Sequence, residues 1–141
     1  MKAKILILFG SAAMVIAPAI PMVLIAFLAI ILDTVFGVWR TIKKNGRASL
    51  ESRKFRATIE KTFLYCGAIL FVFGIEKYIA GDIVAHFIAV DLILTKAFAF
   101  YCVYTEVKSM NESYKDVTGR DVLAGFRKFV SGIKTEGDKW K

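Results

Sequence analysis

Histidine occurs once, as His86, with no ligand-spaced partner, so a histidine metal site and a histidine-assisted nucleophile both lack their central residue. Cysteine occurs twice. Cys66 and Cys102 each lie inside an apolar run, where a thiol serves as a small hydrophobe, and no second pair exists to complete a thiolate metal site. Glycine-rich phosphate loops and nucleophile–base pairs are missing as well. The chain is therefore expected to be no enzyme and to need no cofactor. Charge is missing over a longer range: from Ile5 to Leu32 no side chain is ionisable, and Ser11 is the one hydroxyl. About 20 apolar residues span a bilayer core, so this stretch excludes an ordinary soluble domain and places the chain in a membrane.

What is present agrees. Of 141 residues, 57% are hydrophobic, and the mean hydropathy is +0.56, above the range of soluble domains. Once the apolar segments are set aside, no room remains for a separate catalytic domain. The net charge of +8 is unevenly placed, as in membrane proteins whose lysines and arginines set topology and touch lipid. Nucleic-acid binding is disfavoured, because no aromatic-studded polar surface accompanies that charge. Met1-Lys2-Ala3-Lys4 before an apolar run resembles a signal peptide. The run continues well past Ala17-Pro18-Ala19, so an uncleaved anchor is expected.

The fold class expected is all-α: a small integral membrane protein with three transmembrane helices, a short N-terminal apolar helix and a C-terminal amphipathic helix. Pro18 and Pro21 interrupt the first apolar region. They divide it into a short helix, residues 4–17, and a span, residues 19–40, which Asn45-Gly46 closes. The second span covers residues 62–79. A tight reversal at Gly81-Asp82 leads to the third, residues 83–106, and residues 107–141 form a tail. Between the first two spans lie Arg40, Lys43, Lys44, Arg47, Arg53, Lys54, Arg56 and Lys61, against Glu51 and Glu60. This basic loop is expected to face lipid headgroups. The loop and the tail both carry excess lysine and arginine, which puts both on the cytoplasmic side. Trp39, Tyr65, Tyr101 and Tyr104 then fall near the inner interface.

Three ionisable residues, Asp33, Asp91 and Lys96, fall within the expected spans and form a candidate intramembrane polar network. Each needs a partner, water or an interface. Helical rise puts Asp33 about 10 Å and Lys96 about 15 Å from the inner end, so a bridge between spans one and three is expected. Asp91 has Thr95 on its own face. Cys66 and Cys102 are expected at similar depth. The small-residue pairs Ala13/Ala17 and Ala85/Ala89 are weak packing signals, and the twelve phenylalanines are read as lipid-facing or core filling.

In the tail, Val122, Phe126, Phe129, Val130 and Ile133 recur on one face of a helix expected over residues 120–133. Arg120, Arg127, Lys128 and Lys134 give it a basic side. Thr118 is expected to cap it, with Asp121 reaching back as in a capping box. The apolar face must bury against lipid or a protein partner.

Leu32-Asp33-Thr34-Val35-Phe36-Gly37-Val38-Trp39 resembles a segment of a phage holin family related to toxin-secretion holins. So do Ser52-Arg53-Lys54 in the basic loop, Lys61-Thr62-Phe63-Leu64-Tyr65 at the next span, Glu76-Lys77-Tyr78, and Asn111-Glu112 with Thr118-Gly119-Arg120-Asp121. The match runs over residues 30–125, with the order of motifs kept. Ser109-Met110-Asn111-Glu112 departs from it by reversing the last pair. The resemblance implies a multi-pass protein of the bacterial inner membrane that homo-oligomerises, permeabilises the membrane and so releases an endolysin for host lysis. It implies that Asp33, Asp91 and Lys96 face one another or water, and that the basic loop binds anionic lipid. The reading that competes with it is a membrane anchor or assembly protein whose basic tail docks a soluble secretion or injection machine.

Overall fold

The computed structural model describes residue 10 and residues 13–46 and 52–137; the side chains of 52–54, 85 and 132–137 are outside that description. Among the described residues every regular element is a helix. The expected short helix over residues 4–17 lies mostly outside them; residues 13–16 are helical and run into a 3₁₀ turn, Ala17–Ala19.

Helix α1, Ile20–Asn45, follows that turn. The two prolines sit at the junction between the helical residues 13–16 and α1. Pro18 occupies the 3₁₀ turn and Pro21 the start of α1, where the N–H that proline lacks has no partner to lose. Gly46 ends the helix with φ +79°, a value open to glycine. Helix α2, Ser52–Ile75, passes without interruption into a π-helical turn, Glu76–Ala80, and then into a short α3, Gly81–Phe87. The expected reversal at Gly81-Asp82 is absent: Gly81 has helical φ −56°. Its glycine identity has another reason. A Cβ there would sit 2.7 Å from the carbonyl oxygen of Glu76, so the wide turn closes only over a hydrogen atom.

The chain reverses later, at residues 88–92, where Ile88 is extended and Leu92 is left-handed. Helix α4 then runs Ile93–Thr118. The helix expected over residues 83–106 is thus two helices, and the second continues far beyond Glu106. Gly119, with φ +73°, ends α4, and α5 covers Val122–Gly137.

Helices α1, α2 and α4 pack together, with α1 against α4 the most extensive pairing. Helix α2 runs antiparallel to the other two: Asp33 meets Lys61 while Thr34 meets Thr58, and Lys61 meets Glu106 while Glu76, just past the end of α2, meets Thr95. Ala26, Ile69 and Ala99 meet at a buried waist, with Met22, Val23, Phe98 and Val103 around it. Small residues here let helix backbones approach closely, the main source of helix association where apolar solvent removes the hydrophobic drive. The small residues that serve are Ala26, Ala29 and Ala99, whereas Ala13 and Ala17 are exposed. Phe63, Phe71, Phe87 and Phe100 point outward. Two helical stretches, Ala13–Asn45 and Phe55–Val84, are long and apolar enough to cross a membrane.

Candidate functional site

Charged groups form three layers along this bundle, and the waist separates the first from the other two. The first layer is at the π turn. Glu76 continues the buried face of Ile69 and Phe73, seven and three residues before it, and is 3% exposed. One carboxylate oxygen accepts from the Leu94 N–H at 2.9 Å. The other accepts from the Thr95 N–H at 2.8 Å and its hydroxyl at 2.5 Å. These are the orphan donors of the first turn of α4, where the helix dipole also favours an anion. Glu76 is therefore the cap of a helix 17 residues further on, supplied from a different helix. It anchors the turn in which Leu92, φ +53°, holds a conformation disfavoured for a side-chain-bearing residue by about 1–2 kcal/mol.

Below the waist comes the second layer. Lys61 of α2 donates to Asp33 of α1 and to Glu106 of α4, each at 3.1 Å. Asp33 is mostly covered and Glu106 is 1% exposed. One ammonium thus faces two carboxylates, so the layer carries a surplus negative charge. Among the described residues, Glu106 Oε1 has no hydrogen-bond partner. The Tyr65 phenol, one helical turn beyond Lys61, interacts electrostatically with Glu106 and with Lys61. Thr34 and Thr58 bridge α1 and α2 beside the cluster at 2.9 Å.

The third layer closes the basic end. Asp116 of α4 pairs with Arg40, and with Lys44 at 3.3 Å. Trp39 lies against Tyr114 with ring centroids 6.1 Å apart. Between the second and third layers is a cavity of about 440 Å³. Arg40, Lys44, Lys61 and Asp33 line it, together with the hydroxyls of Thr34, Thr41, Thr58, Ser109 and Ser113. A second cavity of about 380 Å³ lies at the opposite end, beside Glu76, Pro18 and Asp91. The sealed waist stands between them, with Ala26 and Ile69 wholly buried.

The expected polar network is only partly assembled. Asp33 is in the second layer, but its partner is Lys61 and not Lys96. Lys96 instead donates to the backbone carbonyl of Asp91 at 2.6 Å, and both residues are exposed at the reversal. The physical reason is the break at residues 88–92, which puts Asp91 and Lys96 at the end of the bundle rather than inside a continuous helix. The expected span bounds put Lys61 and Glu106 at the ends of helices; in α2, Ser52–Ile75, and α4, Ile93–Thr118, both lie inside. The apolar residues Val107, Met110 and Tyr114, spaced three and four apart beyond Glu106, were the signal that α4 continues. Of the expected lipid-facing basic residues, Arg40 and Lys44 turn to Asp116, and Arg56 pairs with Glu60 at 2.9 Å. Lys43 is exposed. Arg47 is outside the described residues, as are the side chains of Arg53 and Lys54. Cys66 and Cys102 are free thiols.

At the end of α4, the expected capping box is replaced by a different lock. Asp121, not Thr118, caps α5, accepting from the Ala124 N–H at 2.9 Å. Asn111 of α4 accepts from the N–H groups of Val122 and Leu123 at 3.0 and 3.2 Å, and donates to Asp121 at 3.0 Å. Lys115 completes the elbow at 3.1 Å from Asp121. Thr118 instead donates back to the Tyr114 carbonyl. On α5, Val122, Phe126, Phe129 and Val130 are all exposed; the Ile133 side chain is outside the described residues.

Comparison with protein-family models, with curated proteins and with solved structures found no match.

Proposed function

We propose that the protein is a holin-like pore former of the bacterial inner membrane, acting as a homo-oligomer to permeabilise that membrane and release an endolysin. In this reading α1, α2 and α4 are three spans, and the basic end and α5 are cytoplasmic. The observation that carries it is the Lys61–Asp33–Glu106 layer: one ammonium shared by two largely covered carboxylates from neighbouring helices, beside a polar cavity. Intramembrane charge is expensive and marks aqueous or assembly paths. The sealed waist favours a conduit formed between copies over one running through a single copy. Within each copy the layer would supply charge that becomes tolerable once neighbouring copies bring in water. The order of short motifs from Leu32 to Asp121 supports the same reading. No residue has a catalytic role in it.

Expression in bacteria, with membrane potential and growth followed against the amount of protein in the membrane, tests this. Depolarisation and growth arrest above a threshold amount are expected. Accumulation to high level with neither effect would sink the proposal.

A second reading is favoured by the exposed apolar face of α5: an anchor or assembly protein whose tail docks a soluble secretion or injection machine. It expects a stoichiometric soluble protein to copurify, and to be lost when residues 120–137 are deleted.

A further inference from the structure

The direction in which α5 leaves the bundle narrows what covers it. Helix α4 continues to Thr118, but the N–H groups of Val122 and Leu123 bond to Asn111, seven residues back. Seven residues of helix rise about 10 Å. The chain therefore folds back after Gly119, and α5 starts not at the tip of α4 but near the height of the Trp39–Tyr114 ring pair. There Val122 and Leu123 join Phe36, Val107, Met110 and Tyr114 around an apolar groove of about 280 Å³. Phe36 and Val107 belong to the outer wall of the bundle, within a turn of Asp33 and Glu106. The apolar strip of α5 is thus continuous with the lipid-facing wall of the spans.

Charge agrees with position. Val122, Phe126, Phe129 and Val130 form one exposed face, while Arg127 and Lys128 lie on the opposite side and Arg120 on the turn, all exposed. Helix α5 is more strongly amphipathic than α1, α2 or α4. An amphipathic helix with a basic polar side and aromatic residues on the other lies in the plane of an anionic bilayer surface. The Asn111–Asp121–Lys115 lock fixes the helix at its root, so the face is presented without ordering a flexible linker. We infer that α5 is an interfacial helix. Its Val122–Phe126–Phe129–Val130 face enters the acyl region of an anionic leaflet, and its basic side meets the lipid phosphates. This rests on the membrane placement of the bundle, not on permeabilisation.

The test uses the full chain with Cys66→Ala and Cys102→Ala, reconstituted in bilayers of phosphatidylcholine with and without phosphatidylglycerol. Single spin labels are attached through Phe126→Cys, Arg127→Cys, Lys128→Cys, Phe129→Cys or Val130→Cys, all exposed positions away from the elbow. Collision with oxygen, which concentrates in lipid, is compared with collision with a water-soluble nickel chelate. Several-fold higher oxygen preference at 126, 129 and 130 than at 127 and 128 is expected in the anionic bilayers, with the contrast reduced in pure phosphatidylcholine. Uniform access to the nickel chelate overturns the inference. Protection of 126 and 129 from both reagents overturns it too, since protein would then cover the face. An equal contrast in the two lipids removes the anionic partner. Because the labels report depth and not leakage, a protein that fails to permeabilise can still satisfy or fail this test.

Discussion

Glu76 and Glu106 are both buried glutamates in the same bundle, on opposite sides of its waist, and they are satisfied by opposite means. Glu76 takes three neutral donors from the opening turn of one helix. Its charge is dispersed over backbone dipoles that cannot leave without unwinding α4. Glu106 depends on one ammonium that it shares with Asp33, and one of its oxygens has no hydrogen bond among the described residues. A carboxylate held by a helix end is a fixture. A carboxylate held by half of a cation is free to change partners, and that cation lines a polar cavity. Glu76 thus has a structural duty at the π turn, whereas the Lys61 layer keeps charge that is only half neutralised.

The largest effect that bears on this contrast is expected from Lys61→Met. It leaves Asp33 and the buried Glu106 facing each other without a cation; because the Lys61 side chain is 39% exposed, solvent screens part of the loss, which should reach up to about 3 kcal/mol. Unfolding of the detergent-solubilised protein, followed by helical signal, measures it; a loss below about 1 kcal/mol would mean that the layer is effectively solvated. Next comes Glu76→Ala, which strips charge-assisted hydrogen bonds worth about 1.5–3 kcal/mol from the first turn of α4. Amide exchange at Leu94 and Thr95 should accelerate, and unchanged exchange there would show that water caps the helix equally well. Smaller again is Glu106→Gln. It removes surplus negative charge while Asp33 still neutralises Lys61, so stability should stay within about 1 kcal/mol of the parent. A cost equal to that of Glu76→Gln would abolish the distinction between the two residues.

The smallest effect concerns the elbow. The Ala124 N–H, the Asn111 amide and the Lys115 ammonium hold the Asp121 carboxyl down to about 2, below its ordinary value of 3.8. A depressed folded value means that the contribution is fully present above about pH 4 and is lost as pH falls toward 2. Spin-label mobility on α5 should rise over that acid window in the parent. With Asp121→Asn the pH dependence should vanish; persistence of the same transition would assign it to another group.

Much of the helical layout was legible because its signals are local. A charge-free run, a proline pair at the head of α1, Asn45-Gly46 at its end and the three-and-four spacing of Val122, Phe126, Phe129 and Val130 each act within a few residues. Pairing across helices was not legible. Helical rise along a straight helix pairs Asp33 with Lys96, and the break at residues 88–92 invalidates that count. No glycine or proline marks that break: Ile88-Ala89-Val90 reads as more span. What makes it hold is Glu76, far away in sequence, and a π turn has no compositional signature. The capping of α5 by Asp121 and Asn111 was missed for a related reason, since a side chain eleven residues upstream is invisible to a motif four residues long.

The π turn has a consequence in the arithmetic of the chain. Such a turn is an α-helix carrying one residue too many. Deleting a single residue from 77–80 would let α2 and α3 merge into one ordinary helix, with no hydrogen bond forfeited along it. Each residue advances a helix by about 100°, so everything after the deletion would rotate by that angle relative to the bundle. Val84 and Ile88, which now line the upper cavity, would swing away from it, and the reversal would arrive on the wrong side of α2. One residue in 141 thus sets the handoff from one helix to the next, and the chain tolerates its own irregularity because the excess residue is what lets α4 begin where it does.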